Sequence, residues 1–152
     1  MIAVACDFAG YPLKASLLEY LDANNIPYRD FGAYDTTLCD YPPFALKAAN
    51  AVASGECELG LLVCGSGVGI SIAANKVKGI RCVCCSEPYS AMMARQHNDA
   101  NMLAMGARVV GTEVAKMILD NFLKGEFLGM HHQKRLDMVA EIEATGTIKG
   151  YE

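Results

Sequence analysis

The residues best suited to chemistry are Cys64-Gly65-Ser66-Gly67-Val68-Gly69, a glycine-rich stretch led by a thiol. It joins the apolar run Leu59 to Cys64 to a helix-length segment from Ile70 to Lys76, so the backbone N–H groups of Gly65 to Gly69 can converge on an anion. Two familiar phosphate motifs do not fit. Ile70 stands where a dinucleotide fingerprint needs its third glycine, and no Gly-Lys-Ser/Thr follows as in a P-loop. A tight turn without a ligand satisfies the same glycine spacing. Cys64 ends a buried run and opens the loop, where N–H dipoles favour a thiolate able to act as base or nucleophile. Inert burial is the alternative for it.

Gln96-His97-Asn98-Asp99 closes a helical stretch just before a strand. It joins an imidazole that can serve as acid or base to amide and carboxylate groups able to orient it. Arg108 follows a strand on the expected ligand side, whereas Arg81 precedes its strand and is expected to face away. His131-His132-Gln133-Lys134-Arg135 is the most basic local patch. Helical i, i+4 spacing puts His131 and Arg135 on one side, as a clamp for a phosphate or carboxylate requires; a solvated helix face has the same composition.

Strand-length apolar runs alternate with helix-length segments along the chain. Strands are expected at Ile2 to Cys6, Ile26 to Phe31, Leu59 to Cys64, Gly79 to Cys85 and Met102 to Met105. Helices are expected at Leu13 to Asn24, Pro42 to Ala53, Ile70 to Lys76, Glu87 to Gln96, Thr112 to Lys124 and His131 to Glu143. Strands apolar throughout and separated by helices indicate a doubly wound α/β fold, a parallel sheet covered on both faces. Ligands of such folds bind beyond the carboxyl ends of the strands, which selects Asp7-Phe8, Cys64 to Gly69, Ser86 and Gly106 to Arg108. The last helix arrives after the sheet is complete and is expected to pack on a neighbouring subunit.

The 152 residues, 53% of them hydrophobic, 20% charged and only 5 proline, suit one domain spanning 1–152 and exclude collagen-like, disordered and coiled-coil chains. A mean hydropathy of +0.20 points to apolar surface buried against a partner subunit. A net charge of -4 argues against nucleic acid, so an anionic ligand must be met locally. The amino-terminal run Met1 to Ala5 lacks a basic flank and is too short for a signal peptide or a membrane span, which suggests a cytoplasmic chain. The 7 cysteines are an odd number clustered in apolar runs and read as reduced, mostly buried thiols, with Cys64 alone placed for catalysis. Cys82 and Cys85 have C-x-x-C spacing but lie inside a strand with no second ligand pair, so neither a metal nor another cofactor is expected.

The combination of Cys6-Asp7, Asp40-Tyr41-Pro42, the run Cys64 to Lys76, Gly79-Ile80-Arg81, His97 to Asn101 and Gly106-Ala107-Arg108 resembles the type B ribose-5-phosphate isomerase family, which includes the galactose-6-phosphate isomerase subunits. The resemblance implies a flavodoxin-type domain, a homodimer or tetramer with shared active sites, and metal-independent interconversion of ribose 5-phosphate and ribulose 5-phosphate. By matched position, Cys64 is the base, His97 opens the sugar ring, and Ser66 with the N–H groups of Gly65, Gly67, Val68 and Gly69 holds the enediolate. Asp7 and Asn98 grip hydroxyls, Tyr41 belongs to the substrate side, and Arg108, His131 and Arg135 bind phosphate, the last two from the partner subunit. Phe8 stands where the family usually has histidine and His131 where it has arginine. Compensation by His132 and Lys134 would leave the ribose phosphate substrate unchanged; without it those departures leave open a hexose 6-phosphate, a tetrulose 4-phosphate, an unphosphorylated uronate, or a non-catalytic sugar-phosphate-binding module.

Overall fold

A computed structural model describes residues 1–151. Among them, five parallel strands form one sheet: β1 (Ile2–Cys6), β2 (Tyr28–Asp30), β3 (Leu59–Cys64), β4 (Cys82–Cys84) and β5 (Met102–Gly106), in the order β2-β1-β3-β5-β4. The helices are α1 (Tyr11–Ala23), α2 (Tyr41–Ala53), α3 (Val68–Ala74), α4 (Pro88–Asn98), α5 (Thr112–Lys124) and α6 (His131–Thr145). The expected doubly wound α/β class is observed. The chain runs to the outer edge for β4 before returning to place β5 between β3 and β4, so the last two strands are exchanged relative to a simple outward progression.

Right-handed crossovers then dictate which helix covers which face. Connections that move toward β2, or back from the β4 edge, carry α1 and α4 to one face; those that move the other way carry α2 and α3 to the opposite face. Ile2, Val4, Cys6, Leu61, Val63, Leu103 and Met105 accordingly pack with Leu13, Leu17 and Leu21 of α1, Ala91 and Ala94 of α4, and Ile118, Leu119 and Phe122 of α5. The alternate residues Ala3, Ala5, Leu62, Cys64, Met102 and Ala104 pack with Ala45, Ala48, Ala49 and Val52 of α2 and Ile70 and Ala74 of α3. Burial on both faces is why β1, β3 and β5 read as unbroken apolar runs.

The edge strands are shorter than their apolar runs. β2 keeps only Tyr28–Asp30, because the Ile26 N–H turns back to the Leu21 carbonyl at 2.9 Å. β4 begins at Cys82 because the Arg81 N–H donates to the Asn101 side chain at 2.8 Å. Helices α1 and α3 each begin two residues before the expected Leu13 and Ile70, at Tyr11 and Val68.

One charge is wholly inside this frame. Lys14 is 0% exposed, and its Nζ donates to both oxygens of Asp30 at 2.8 and 2.7 Å and to the Ala33 carbonyl at 2.6 Å. The same Ala33 pairs with Cys6 through its backbone, so the ion pair ties α1 to the end of β1 where Asp7 begins. Truncating one member of a buried pair leaves the other without compensation. Lys14→Met is expected to lose about 3 kcal/mol of folding stability in urea unfolding, and Lys14→Met/Asp30→Leu to recover part of it.

Candidate active site

Strands β1 and β3 send their chains to opposite faces of the sheet, so the loops that follow them part and leave a crevice at their carboxyl ends. Backbone bonds stitch that end together: the Asp7 N–H donates to Val63 O at 3.2 Å, Ala107 N–H to Cys64 O at 2.9 Å and Arg108 N–H to Gly65 O at 3.0 Å. The result is a cleft of about 400 Å³ with Cys64, Gly65 and Ser66 on one wall and Asp7, Phe8 and Ala9 on another. Tyr41, Gly69, Arg108 and Val109 complete it. Ala9 and Val109 were not identifiable from the sequence; both follow directly on a residue that was, and only the loop conformation turns them inward.

Cys64 is the last residue of β3 and 4% exposed. Gly67 sits in the left-handed region at φ 80°, which bends the chain back so that its N–H donates to the Cys64 sulfur at 3.1 Å. The Ser66 hydroxyl, which is exposed, accepts the Val68 N–H at 3.3 Å. Burial pushes other thiols up, Cys6 to about 12 in spite of Lys14 and Cys85 to about 11. Cys64 is set apart by the N–H aimed at its sulfur.

The cleft pairs one anion with one cation. Asp7 is buried, and one of its carboxylate oxygens accepts the Gly10 N–H at 2.8 Å, which fixes its rotamer. The Arg108 guanidinium lies across Gly65, close enough that a Cβ there would stand 3.4 Å from it. Tyr41 opens α2, and its ring covers Gly69 so closely that a Cβ on Gly69 would stand 2.8 Å from the ring. Gly67 and Val68 do not line the cleft: Gly67 is buried under Met105 and Cys84, and Val68 is 50% exposed on the outer side of α3. Ser86 also lies off the cleft.

His97, Asn98, His131 and Arg135 do not line the Cys64 cleft. All 3 histidines of the chain instead gather where α4 ends and α6 begins. The His97 and His132 rings stack at 4.3 Å with 9° between their planes, and the His131 ring lies 4.0 Å from His132 at 39°. The expected orientation of His97 by Asp99 is not what the structure contains: Asp99 is ion-paired to Arg95 at 2.9 Å and to Arg81 at 3.1 Å. Arg81 also caps the end of α4 through the Asn98 and Asp99 carbonyls, so it does face away from the cleft. His132, which the sequence offered only as part of the basic patch and as a compensating group, takes the place beside His97. Five of the 7 thiols are buried, as a mostly buried set requires, while Cys84 is exposed and Cys39 half-buried.

The fold is thus a doubly wound α/β domain whose cleft holds a thiol at the root of a glycine loop and an arginine across it, with the three imidazoles gathered away from that cleft. The chain belongs to the Ribose/Galactose Isomerase family, whose model matches residues 2–139. It is 50% identical over 142 residues to ribose-5-phosphate isomerase B of Escherichia coli (strain K12), covering 93% of this chain and 95% of that one. The fold matches the structure of Clostridium thermocellum ribose-5-phosphate isomerase B with a TM-score of 0.93 at 47% identity, over 96% of this chain and 99% of that one. D-erythrulose-4-phosphate isomerase of Pectobacterium atrosepticum is 38% identical over 144 residues, 93% of this chain and 94% of that one.

His132 is 6% exposed. Burial first, then the charges of His131, His97 and Arg135, holds its pKa below the ordinary histidine value. A base with a depressed folded-state pKa binds its proton more readily in the unfolded chain, so stability is complete above about pH 6.5 and is lost as pH falls from there. Thermal melts between pH 7.5 and 5.5 are expected to show a falling midpoint in the wild type and a flatter one in His132→Gln. Equal slopes in the two proteins would remove His132 as the source.

Proposed function

We propose that this chain interconverts ribose 5-phosphate and ribulose 5-phosphate through an enediolate, as one domain in an oligomer whose subunits share each active site. The observation that carries the reading is the Cys64 sulfur, held by an N–H at 3.1 Å at the floor of a cleft crossed by Arg108. His97 opens the sugar ring by moving a proton between the ring oxygen and the C1 hydroxyl. Cys64 as thiolate then takes the C2 proton of the open aldose, and the electron pair passes into a C1–C2 enediolate. Return of that proton to C1, with transfer of a proton between the two oxygens, gives the ketose.

The loop suits the oxygen that becomes negative: Ser66 Oγ and the N–H groups of the cleft-lining Gly65, Ser66 and Gly69 act as its donors, preorganised before the reaction begins. Asp7 and Asn98 hold hydroxyls, while Phe8 and Tyr41 pack along the sugar. Arg108, His131 and Arg135 take the phosphate, whose distance from the reacting carbons turns binding energy into positioning. This chemistry requires neither a metal nor another cofactor.

Because the α4/α6 cluster does not line the cleft, His97, Asn98, His131 and Arg135 are assigned to the site of the partner subunit. Val139 and Ile142, half-exposed apolar residues on α6, support that helix as part of the interface. Seven free thiols suit a reducing cytoplasm. Half-buried Phe8 in the cleft favours one second reading, a tetrulose 4-phosphate substrate with the same proton transfer.

A panel of pentose, tetrose and hexose phosphates and uronates ranked by kcat/KM is expected to place ribose 5-phosphate first; a tetrulose 4-phosphate ahead of it would establish the second reading. Cys64→Ala is expected to lower kcat by about 10²–10⁴-fold. Co-refolding Cys64→Ala with His97→Asn tests the shared site. Hybrid dimers regain one intact site if the two residues meet across subunits, and a random mixture then recovers roughly a quarter of wild-type activity. No recovery would place both residues in one subunit.

A further inference from the structure

We infer that Cys84 is a positioning residue for Cys64: its thiol holds the Ser66–Gly67 peptide in the one orientation that points an N–H at the Cys64 sulfur. The inference rests on the reading of Cys64 as the base and adds a residue to it.

In a trans peptide the N–H and C=O point in opposite directions. The Gly67 N–H donates to Cys64 Sγ at 3.1 Å, so the Ser66 carbonyl points away from Cys64. On that far side the Cys84 thiol donates to Ser66 O at 3.8 Å. The two sulfurs therefore grip one peptide from opposite ends. Sheet register brings Cys84 there: β4 pairs with β5 at Cys84 and Ala104, and β3 pairs with β5 at Cys64 and Gly106, so both thiols stand on the same face with β5 between them.

The peptide needs holding because its second residue is glycine. Gly67, at φ 80°, takes positive and negative φ almost equally well, so rotation of the 66–67 peptide meets little intrinsic barrier. A flipped peptide would aim the Ser66 carbonyl oxygen at Cys64 and replace a donor with a lone pair that repels a thiolate. Space around it is tight: a Cβ on Gly67 would stand 2.9 Å from Cys84 Sγ, and one on Gly106 would stand 2.6 Å from Ser66 O. The S–H bond to the carbonyl adds a directional contact that the flipped peptide would lose. Desolvation of the sulfur against the loop, and after it the neighbouring Cys64, keeps the thiol of the otherwise exposed Cys84 above the ordinary cysteine range, so it retains its proton and stays a donor at neutral pH.

The test follows iodoacetamide labelling of Cys64 in the full-length protein, read residue by residue by peptide mass spectrometry at initial rates across pH. Cys84→Val keeps the bulk and removes the donor, Cys84→Ala removes both, and Cys84→Ser restores a donor. The labelling midpoint is expected to rise by about 0.5–1 pH unit in Cys84→Val and Cys84→Ala, with kcat/KM at pH 6 about three- to tenfold lower, and to return to within twofold of wild type in Cys84→Ser. An unchanged midpoint in whichever of Val or Ala melts like the wild type would overturn the inference, as would a Ser variant that shifts as far as Val. Labelling needs no turnover, so the two readings separate: an active Cys64→Ala enzyme would defeat the base assignment while the labelling shift stood.

Discussion

The geometry of the cleft depends on one hydrogen bond across three residues, from the Gly67 N–H to the Cys64 sulfur. Making it requires the chain to leave β3 and reverse within a single turn, which in turn requires the left-handed conformation at Gly67. The reversed loop must fit beneath β5, where Gly106 offers no side chain to obstruct it. Three adjacent parallel strands are needed to hold such a loop, because its bonds run to the ends of both neighbours, from Asp7 to Val63 and from Ala107 to Cys64. The fold thus serves the thiol by fixing both sides of a flexible glycine segment.

Charge is distributed in keeping with that arrangement. Inside an acidic chain, Lys14 is paired with Asp30, and Arg81 and Arg95 share Asp99. Among the described residues, Arg108 and Arg135 stand in no salt bridge of the chain, so their guanidinium groups are left for an anion from outside. Arg108 lies over the cleft, whereas Arg135 and His131 belong to the α4/α6 corner. The proposed phosphate clamp, divided between two faces of one protomer, makes chemical sense when two protomers meet, and the same division applies to the thiol and the imidazole proposed to act with it.

Much of this is legible in the residues themselves. β1, β3 and α5 fall at their expected bounds, since an apolar run buried on both faces is a strong signal and Thr112 to Lys124 carries a clear helical period. The short edge strands are overestimated for a local reason: just before Cys82 and Tyr28, Arg81 gives its N–H to the Asn101 side chain and Ile26 gives its N–H to the end of α1. Cys64, Ser66, Asp7 and Arg108 were identifiable because each lies at the carboxyl end of a strand or within two residues beyond it. Asp99 was misread as a partner of His97 because sequence proximity cannot foresee two arginines, fourteen residues apart, closing on one carboxylate.

The sequence by itself determined the fold class, the glycine loop after β3 and the thiol that opens it, because strand periodicity and the glycine at position 67 are local properties written into the chain. Only the tertiary structure decided the strand order, the stacking of His132 on His97, and the contact of Cys84 with the loop. Each joins segments far apart in the chain through packing and register across β5, and no local preference of these residues encodes which distant partner they meet.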